Sequence, residues 1–402
     1  MVKPLRNVTS LRISFLHSLL KYRLWFLLVV IVVLLAGGIW KGTSLFKQLA
    51  NSTKEKNSLE TQLQQVKEDV EALKNQDQYK INQELQLRVK KTDETLTQAA
   101  DVYEKLLDLK IKQKDTTADD KLFAETLNFL AKLNYASASA TLTTLADNIA
   151  KEEAKIAASS SPVANAVQSN TPPGSGYSVQ SVVTDTGTFT VSIIAADLNS
   201  TRVIVDTASD SDCSNNCPVL PLNAYVSRSG AWAGINGTFF CPAEYPSCAG
   251  KTGSFDTLLM NKNKHYFNSD NNKYSIVPLV FFTGNQMGVR EHSQDWGRDT
   301  GVDSVIAMQP LLVLGGNIVY GSSADTKFSN KGTRNFIANK GNMVYIGVMY
   351  NANMTDSAHV LKTLGMDNAL NLDEGGSTAL WHGGYKAGPG RNIPNAVLFV
   401  NK

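Results

Sequence analysis

The pattern of apolar and polar residues divides the chain into two unlike parts. Residues 24–40 form an uncharged apolar run, and beyond it apolar side chains recur at intervals of three and four residues. The clearest such seam is formed by Leu59, Leu63, Val66, Val70 and Leu73. This spacing is typical of a coiled-coil helix. From Tyr177 onward the pattern changes to short β-type runs separated by turn residues.

These changes of pattern predict five segments. We expect a basic cytoplasmic leader at 1–23, a transmembrane helix at 24–40, a helical stalk at 41–157, a flexible linker at 158–176 and a single working domain at 177–402. The last domain has many short strands and one clear helix signal, near 356–364 and ended by Gly365, which favours an α+β fold on mostly antiparallel sheet. Proline is absent between Pro4 and Pro162, as expected for a long helical part.

The apolar run 24–40 is long enough to cross a lipid bilayer, since a helix of that length reaches roughly 26 Å. Trp25 and Trp40 lie at its ends, where aromatic rings prefer the headgroup level. Basic residues precede it, namely Lys3, Arg6, Arg12, Lys21 and Arg23. The positive-inside rule then leaves the N-terminus in the cytoplasm and the C-terminal domain outside. A cleaved signal peptide, with small residues at 36–38, is the alternative.

The stalk at 41–157 suits a spacer that holds the outer domain away from the membrane and forms a homo-oligomer through its apolar seam. A helical hairpin folded on itself is the alternative. The linker at 158–176 is small, polar and rich in Pro and Gly, with little apolar surface to bury.

Net charge and cysteine content limit the partners and the compartment. The formal net charge is +3, from 39 Lys+Arg and 36 Asp+Glu, and basic residues cluster only near the N-terminus, so we expect no nucleic-acid partner. The four cysteines all lie in the domain expected outside: Cys213, Cys217, Cys241 and Cys248. Two short-range disulfides are the expectation, although three connectivities are open and a zinc site is the alternative.

Two polar clusters lie where predicted strands meet turns. Asn236-Gly237 follows an apolar run, and a hairpin turn without chemistry is the simplest alternative. Arg334 lies at the entrance of a predicted strand, where a guanidinium fork suits a phosphate oxyanion and a solvated edge charge is the alternative.

The third cluster, NALNLDEGGSTALW, carries the strongest signal. In a strand Leu370 and Leu372 face one side while Asn371 and Asp373 face the other, so an amide and a carboxylate share one face. Gly375-Gly376 then permits a sharp turn or the close approach of a ligand. An Asp that only caps this turn is the alternative.

At these clusters the chain resembles the phosphodiester glycosidase family over roughly 177–402. The resemblance rests on Ile235-Asn236-Gly237-Thr238-Phe239-Phe240, Gln309-Pro310-Leu311-Leu312-Val313, Thr333-Arg334 and Leu372-Asp373-Glu374-Gly375-Gly376-Ser377. Two positions depart from the family pattern: Glu374 stands where glycine is usual, and Lys331-Gly332-Thr333 replaces the usual His-Pro before the arginine.

The resemblance implies hydrolysis of a sugar-1-phosphodiester at its anomeric C–O bond, in a cell-envelope or exopolysaccharide glycan. The implied catalytic residues are Asp373, Arg334 and Glu374. The implied substrate-binding residues are Asn236, Gly237, Asn371, Gly375, Gly376, Ser377 and His382. No cofactor is required by this chemistry, and a divalent cation on the carboxylates stays open. A non-catalytic glycan-binding module and a surface-organising stalk protein are the alternatives from other functional classes.

Overall fold

The computed structural model describes residues 11–75, 77–112, 115–160, 166–323 and 326–402. Lys3 and Arg6 of the predicted leader, and residues 161–165 of the predicted linker, lie outside these ranges. The chain divides into two compact units, one ending at Val89 and one spanning Lys90–Lys402. The boundary lies inside a helix and not in the predicted linker. The helices after Lys90 belong to the same compact unit as the C-terminal sheets.

The first unit contains helix α1 (Leu11–Lys74) and the start of α2 (Asp77–Lys112). The helical segment that begins at Trp25 is long and apolar enough to span a membrane, which agrees with the predicted anchor. The side chains of Trp25 and Trp40 are 73% and 77% exposed. The orientation stays a prediction. The seam from Leu59 to Leu73 is likewise exposed in this single chain, and its self-association also stays a prediction.

Three helices open the second unit and form what we call the helical cap: α2 from Lys90 onward, α3 (Thr117–Ala131) and α4 (Tyr135–Ser160). Their apolar faces meet in one core, formed by Ala99, Val102, Leu106, Leu109, Leu142, Leu145 and Ile149. The later part of the predicted stalk is therefore packed against itself, as in the hairpin alternative.

The β domain (residues 166–402) contains the remaining elements. Its helices are α5 (Leu222–Ser229), α6 (Asn271–Tyr274), α7 (Thr326–Ser329) and α8 (Met354–Thr363). Its strands are β1 (Val167–Gln168), β2 (Gly176–Val183), β3 (Thr188–Asp197), β4 (Thr201–Thr207), β5 (Ala233–Asn236), β6 (Leu259–Met260), β7 (Tyr266–Phe267), β8 (Leu279–Thr283), β9 (Gln286–Arg290), β10 (Ser304–Ala307), β11 (Leu311–Leu314), β12 (Asn317–Ile318), β13 (Gly332–Lys340), β14 (Met343–Ala352), β15 (Asn368–Leu372), β16 (Leu380–His382), β17 (Tyr385–Ala387) and β18 (Asn395–Asn401).

The strands form three sheets around a shared core. Their orders are β1-β2-β3-β14-β13-β15-β11-β12, β17-β16-β5-β18-β4 and β7-β6-β10-β8-β9. Apart from the parallel pair β1–β2, the named strand pairs are antiparallel. One core cluster contains Ile346 of the first sheet, Ile235 of the second and Val280 of the third. The predicted α+β class with mostly antiparallel sheet is confirmed.

Several local predictions can be compared with these elements. The helix expected near 356–364 is α8, whose N-terminus carries a capping box between Asn353 and Asp356. Asn236-Gly237 is not a hairpin turn, because β5 pairs with β16 on one side and β18 on the other. Within the predicted linker, β1 pairs with β2, whose first residue is Gly176, so the segment from residue 166 is ordered along the sheet.

Candidate active site

The candidate site lies at the C-terminal end of β15, where the polypeptide leaves the first sheet. Leu370 and Leu372 point into the shared core, as their alternation predicts. Asp373 follows directly, and its backbone N–H donates to the carbonyl of Gly237 at 2.9 Å. The turn beyond it contains Gly375, whose φ of +65° favours glycine. The end of β15 is thereby joined to the end of β5.

Two buried asparagines fix the backbone of Asp373. The side-chain amides of Asn236 and Asn335 both donate to the Asp373 carbonyl, at 2.6 and 2.5 Å. The Asn236 side-chain oxygen accepts from Asn335 at 2.9 Å and from the backbone N–H of Ala379 at 3.0 Å. Because these amide groups are bonded to protein, Asn236 positions Asp373 and does not line the adjoining cleft.

The Asp373 carboxyl is buried, with only 7% of the residue exposed. This burial raises its pKa from 3.8 to about 7, because a desolvated carboxylate is disfavoured. Three groups oppose the rise: the Ser377 side chain and the Glu374 backbone N–H by hydrogen bonding, and the positive charge of Arg391. The site therefore holds a carboxyl group that changes its protonation state near neutral pH.

Arg334 lines the same cleft, but its guanidinium is bonded mainly to other groups of the protein. Its Nη1 approaches the Glu374 carboxylate at 3.1 Å. Its guanidinium also donates to the carbonyls of Lys327, Asn330 and Thr333. The Nε is buried and has no hydrogen-bond partner among the residues that the structure describes. Glu374 thus compensates the charge of Arg334, so this arginine is not the open phosphate fork that the sequence predicts.

A second arginine, Arg391, was missed by the sequence reasoning. Its guanidinium is buried, forms an ion pair with Asp108 of the helical cap and lies 4.9 Å from the ring centre of Tyr245. It also packs on Gly376, where an added Cβ would come within 2.3 Å of Nη2. The Gly-Pro-Gly that precedes Arg391 is the sequence signal that could have indicated a close backbone approach here.

These groups surround a cleft of about 430 Å³ between the β domain and the helical cap. Asp373, Glu374, Arg334 and Arg391 line it. Four aromatic side chains also line the cleft: Phe239, Phe240, Tyr245 and Phe328. A concave site that combines aromatic surface with a few charged groups is typical of a small-molecule binding site.

The remaining predicted residues separate into two groups. Gly375, Gly376 and Ser377 line the cleft, whereas Asn236, Gly237 and Asn371 do not. Asn371 is buried and donates to the carbonyl of Gln309 at 3.0 Å. His382 lies outside the cleft, with its ring against Tyr177 and Trp232. Within the described ranges, no three His, Cys, Asp or Glu side chains are arranged to hold a metal ion.

The cysteines form two short-range disulfides, as predicted. Cys213 is bonded to Cys217 and Cys241 to Cys248. The zinc alternative is therefore wrong. The loop closed by the second disulfide carries Tyr245 into the cleft wall, so this bond also shapes the site.

Comparisons with known proteins bear on this site. A family profile described as phosphodiester glycosidase matches residues 229–400. Curated proteins provide no match. Among solved structures, the catalytic domain of zebrafish N-acetylglucosamine-1-phosphodiester alpha-N-acetylglucosaminidase is 13% identical with a TM-score of 0.45, covering 59% of this chain and 87% of that one.

A hypothetical protein from Synechocystis is 14% identical with a TM-score of 0.38 and covers 57% of this chain. The present chain spans 64% of that protein's length, less than two thirds. The profile covers Arg334, Asp373 and Arg391, which line the cleft, and Asn236, which positions Asp373. The resemblance to the phosphodiester glycosidase family that the sequence predicts is therefore confirmed by this profile over residues 229–400.

Proposed function

We propose that this protein is a membrane-anchored, extracytoplasmic hydrolase that cleaves sugar-1-phosphodiester bonds in a cell-envelope or exopolysaccharide glycan. The observation that carries the proposal is the buried Asp373 carboxyl, with a pKa of about 7, in a cleft that also holds two arginines. The family match supports hydrolysis as the reaction class.

The reaction breaks the anomeric C–O bond, with water adding to the sugar and a phosphate monoester leaving. A phosphate leaves more readily than an alcohol, so the protein mainly has to bind its charge and stabilise an oxocarbenium-like centre. Arg391 supplies positive charge near Asp373, and Arg334 adds a second guanidinium that is already paired with Glu374. Asp373 faces the same space and is suited to hold or receive the proton of the attacking water.

Two features of the chain support the proposed location. The apolar helix that begins at Trp25 suits a bilayer anchor, and the basic residues before it favour an outward C-terminal domain. The two disulfides support an oxidising compartment. An outward domain tethered to the membrane meets envelope glycans as its nearest polymeric substrates.

Hydrolysis of sugar-1-phosphodiesters in ¹⁸O-labelled water tests the proposal. The full-length protein in detergent micelles is incubated with a panel of sugar-1-phosphate methyl esters, and the products are examined by mass spectrometry. We expect ¹⁸O on the anomeric hydroxyl and none on the phosphate. Label on the phosphate would identify a phosphodiesterase instead. Glycan binding without turnover would favour the non-catalytic binding module.

A further inference from the structure

A polar stripe on α2 faces the cleft. Asp101, Lys105, Asp108 and Lys112 are spaced by four, three and four residues, so they lie on one side of the helix. All four line the cleft. The neighbouring apolar stripe of α2 packs inside the helical cap. The charged side of this helix therefore faces the β domain across the cleft.

The second helix that borders the cleft, α4, presents small side chains to it. Ala146 and Ala150 line the cleft, followed by Glu153, which pairs with Lys112 at 2.7 Å. Larger residues of α4, such as Leu145 and Ile149, point into the core of the cap. Small residues on the cleft side leave room for a ligand beneath the helices.

Direct contacts join the cap to the β domain. Asp108 pairs with Arg391, and Glu104 accepts a hydrogen bond from the backbone N–H of Ser247 at 3.2 Å. Ser247 lies in the loop closed by the disulfide to Cys248. The cap is therefore attached at the wall of the site itself.

A second chamber of about 440 Å³ adjoins the first beneath the cap. Both chambers share the same lining at their junction, which comprises Lys112, Glu153, Gly332, Thr333, Gly375 and Gly376. Beyond this junction the second chamber is lined by Ile111, Ile156, Thr378, Lys386 and Ala387. Asp373 and Glu374 line only the first.

We propose that the helical cap is part of the substrate-binding site, and that the two chambers hold consecutive units of a phosphate-linked glycan chain. This inference rests on the proposed function. The reacting sugar occupies the first chamber, because the carboxylates are there. The chain continues across Gly375-Gly376 into the second chamber, where Lys386 supplies positive charge and Ile111 an apolar surface. The substrate class is then a polymer cleaved within its length.

The test compares one-unit and two-unit ligands. Non-hydrolysable phosphonate analogues of a sugar-1-phosphate methyl ester and of a sugar-1-phosphate-linked disaccharide are titrated into the full-length protein by calorimetry. We expect the two-unit analogue to bind about tenfold more tightly, since the second unit adds contacts in an existing cavity. Ile111→Trp, a change at a 46% exposed position, puts a larger side chain in the wall of the second chamber and is expected to remove most of that preference.

Ile276→Trp is the matched control, because Ile276 is 71% exposed and lies outside both chambers. It should leave the preference at the wild-type value. Equal affinity of the wild type for both analogues, or an unchanged preference in Ile111→Trp, would overturn the inference. Because binding is measured without turnover, failure of the proposed hydrolysis would show separately, as intact substrate in the labelled-water assay.

Discussion

Replacing Asp373 with asparagine should lower activity and raise stability together. Burial raises the pKa of this carboxyl from 3.8 to about 7, so the folded protein holds the proton over a pH range in which the unfolded chain releases it. The free energy of unfolding therefore decreases as pH rises from about 4 to about 7, by about 4 kcal/mol in total. The asparagine of the variant carries no charge, so the free energy of unfolding of the variant does not decrease in this way.

The variant and the wild type should then have similar stability below pH 4, where both side chains are neutral. Above pH 7 the variant should be more stable, because the wild type then buries a charged carboxylate. The difference is at most about 4 kcal/mol, since water that enters the site reduces the cost of this burial. At roughly 2 °C per kcal/mol for a unit of this size, the melting temperature should rise by up to about 8 °C at pH 8. Asparagine keeps an oxygen that can accept from the Glu374 N–H, so the fold is retained.

Turnover should fall by roughly 10²–10⁴-fold, the range for loss of an acid, base or electrostatic group. Thermal unfolding is followed by near-ultraviolet circular dichroism between pH 4 and pH 8 on the full-length protein in micelles, and turnover is measured on the same samples. Asp210→Asn, a change at an exposed position, is the control and should alter neither property. A stability difference that does not vary with pH, or near-wild-type turnover, would refute the reasoning.

Three further predictions concern the same site and its location. Arg391→Gln removes a charge that lowers the pKa of Asp373, so the pH profile of kcat/KM should shift to higher pH, and an unshifted profile would contradict this coupling. Glu374→Gly leaves the buried Arg334 charge unpaired and should destabilise the protein by roughly 3 kcal/mol, whereas adding Arg334→Met should recover part of that loss in thermal unfolding. Protease added to wall-stripped cells should remove the β domain and leave the 24–40 segment in the membrane; full protection would contradict the predicted orientation.

The sequence predicted those parts of the site that depend on residues close together along the chain. The alternation in β15 placed Leu370 and Leu372 in the core, and the glycine pair after Asp373 marked the turn at which the carboxylate meets the cleft. Helix α8 was predicted from its apolar spacing and the glycine that follows it. Each of these signals lies within about ten residues, so no tertiary information was needed.

The partners of Arg391 could not be predicted in this way. Asp108 is 283 residues away in sequence and belongs to a helix whose heptad-like spacing also fits an isolated stalk. The same 3,4 spacing serves a dimer seam and a packed three-helix unit, because both bury one stripe of the helix. The cap differs from a spacer in the position of its polar stripe, which faces the cleft beside Tyr245.

The asparagines show a second reason why pattern alone fails. A polar residue at a strand end has the same sequence signature whether it contacts a ligand or satisfies a buried backbone group. Asp373 leaves its sheet in the interior, so its carbonyl needs donors that no neighbouring strand provides there, and Asn236 and Asn335 supply them. The position of the Asp373 carboxyl in the cleft thus depends on two amides that do not line the cleft themselves.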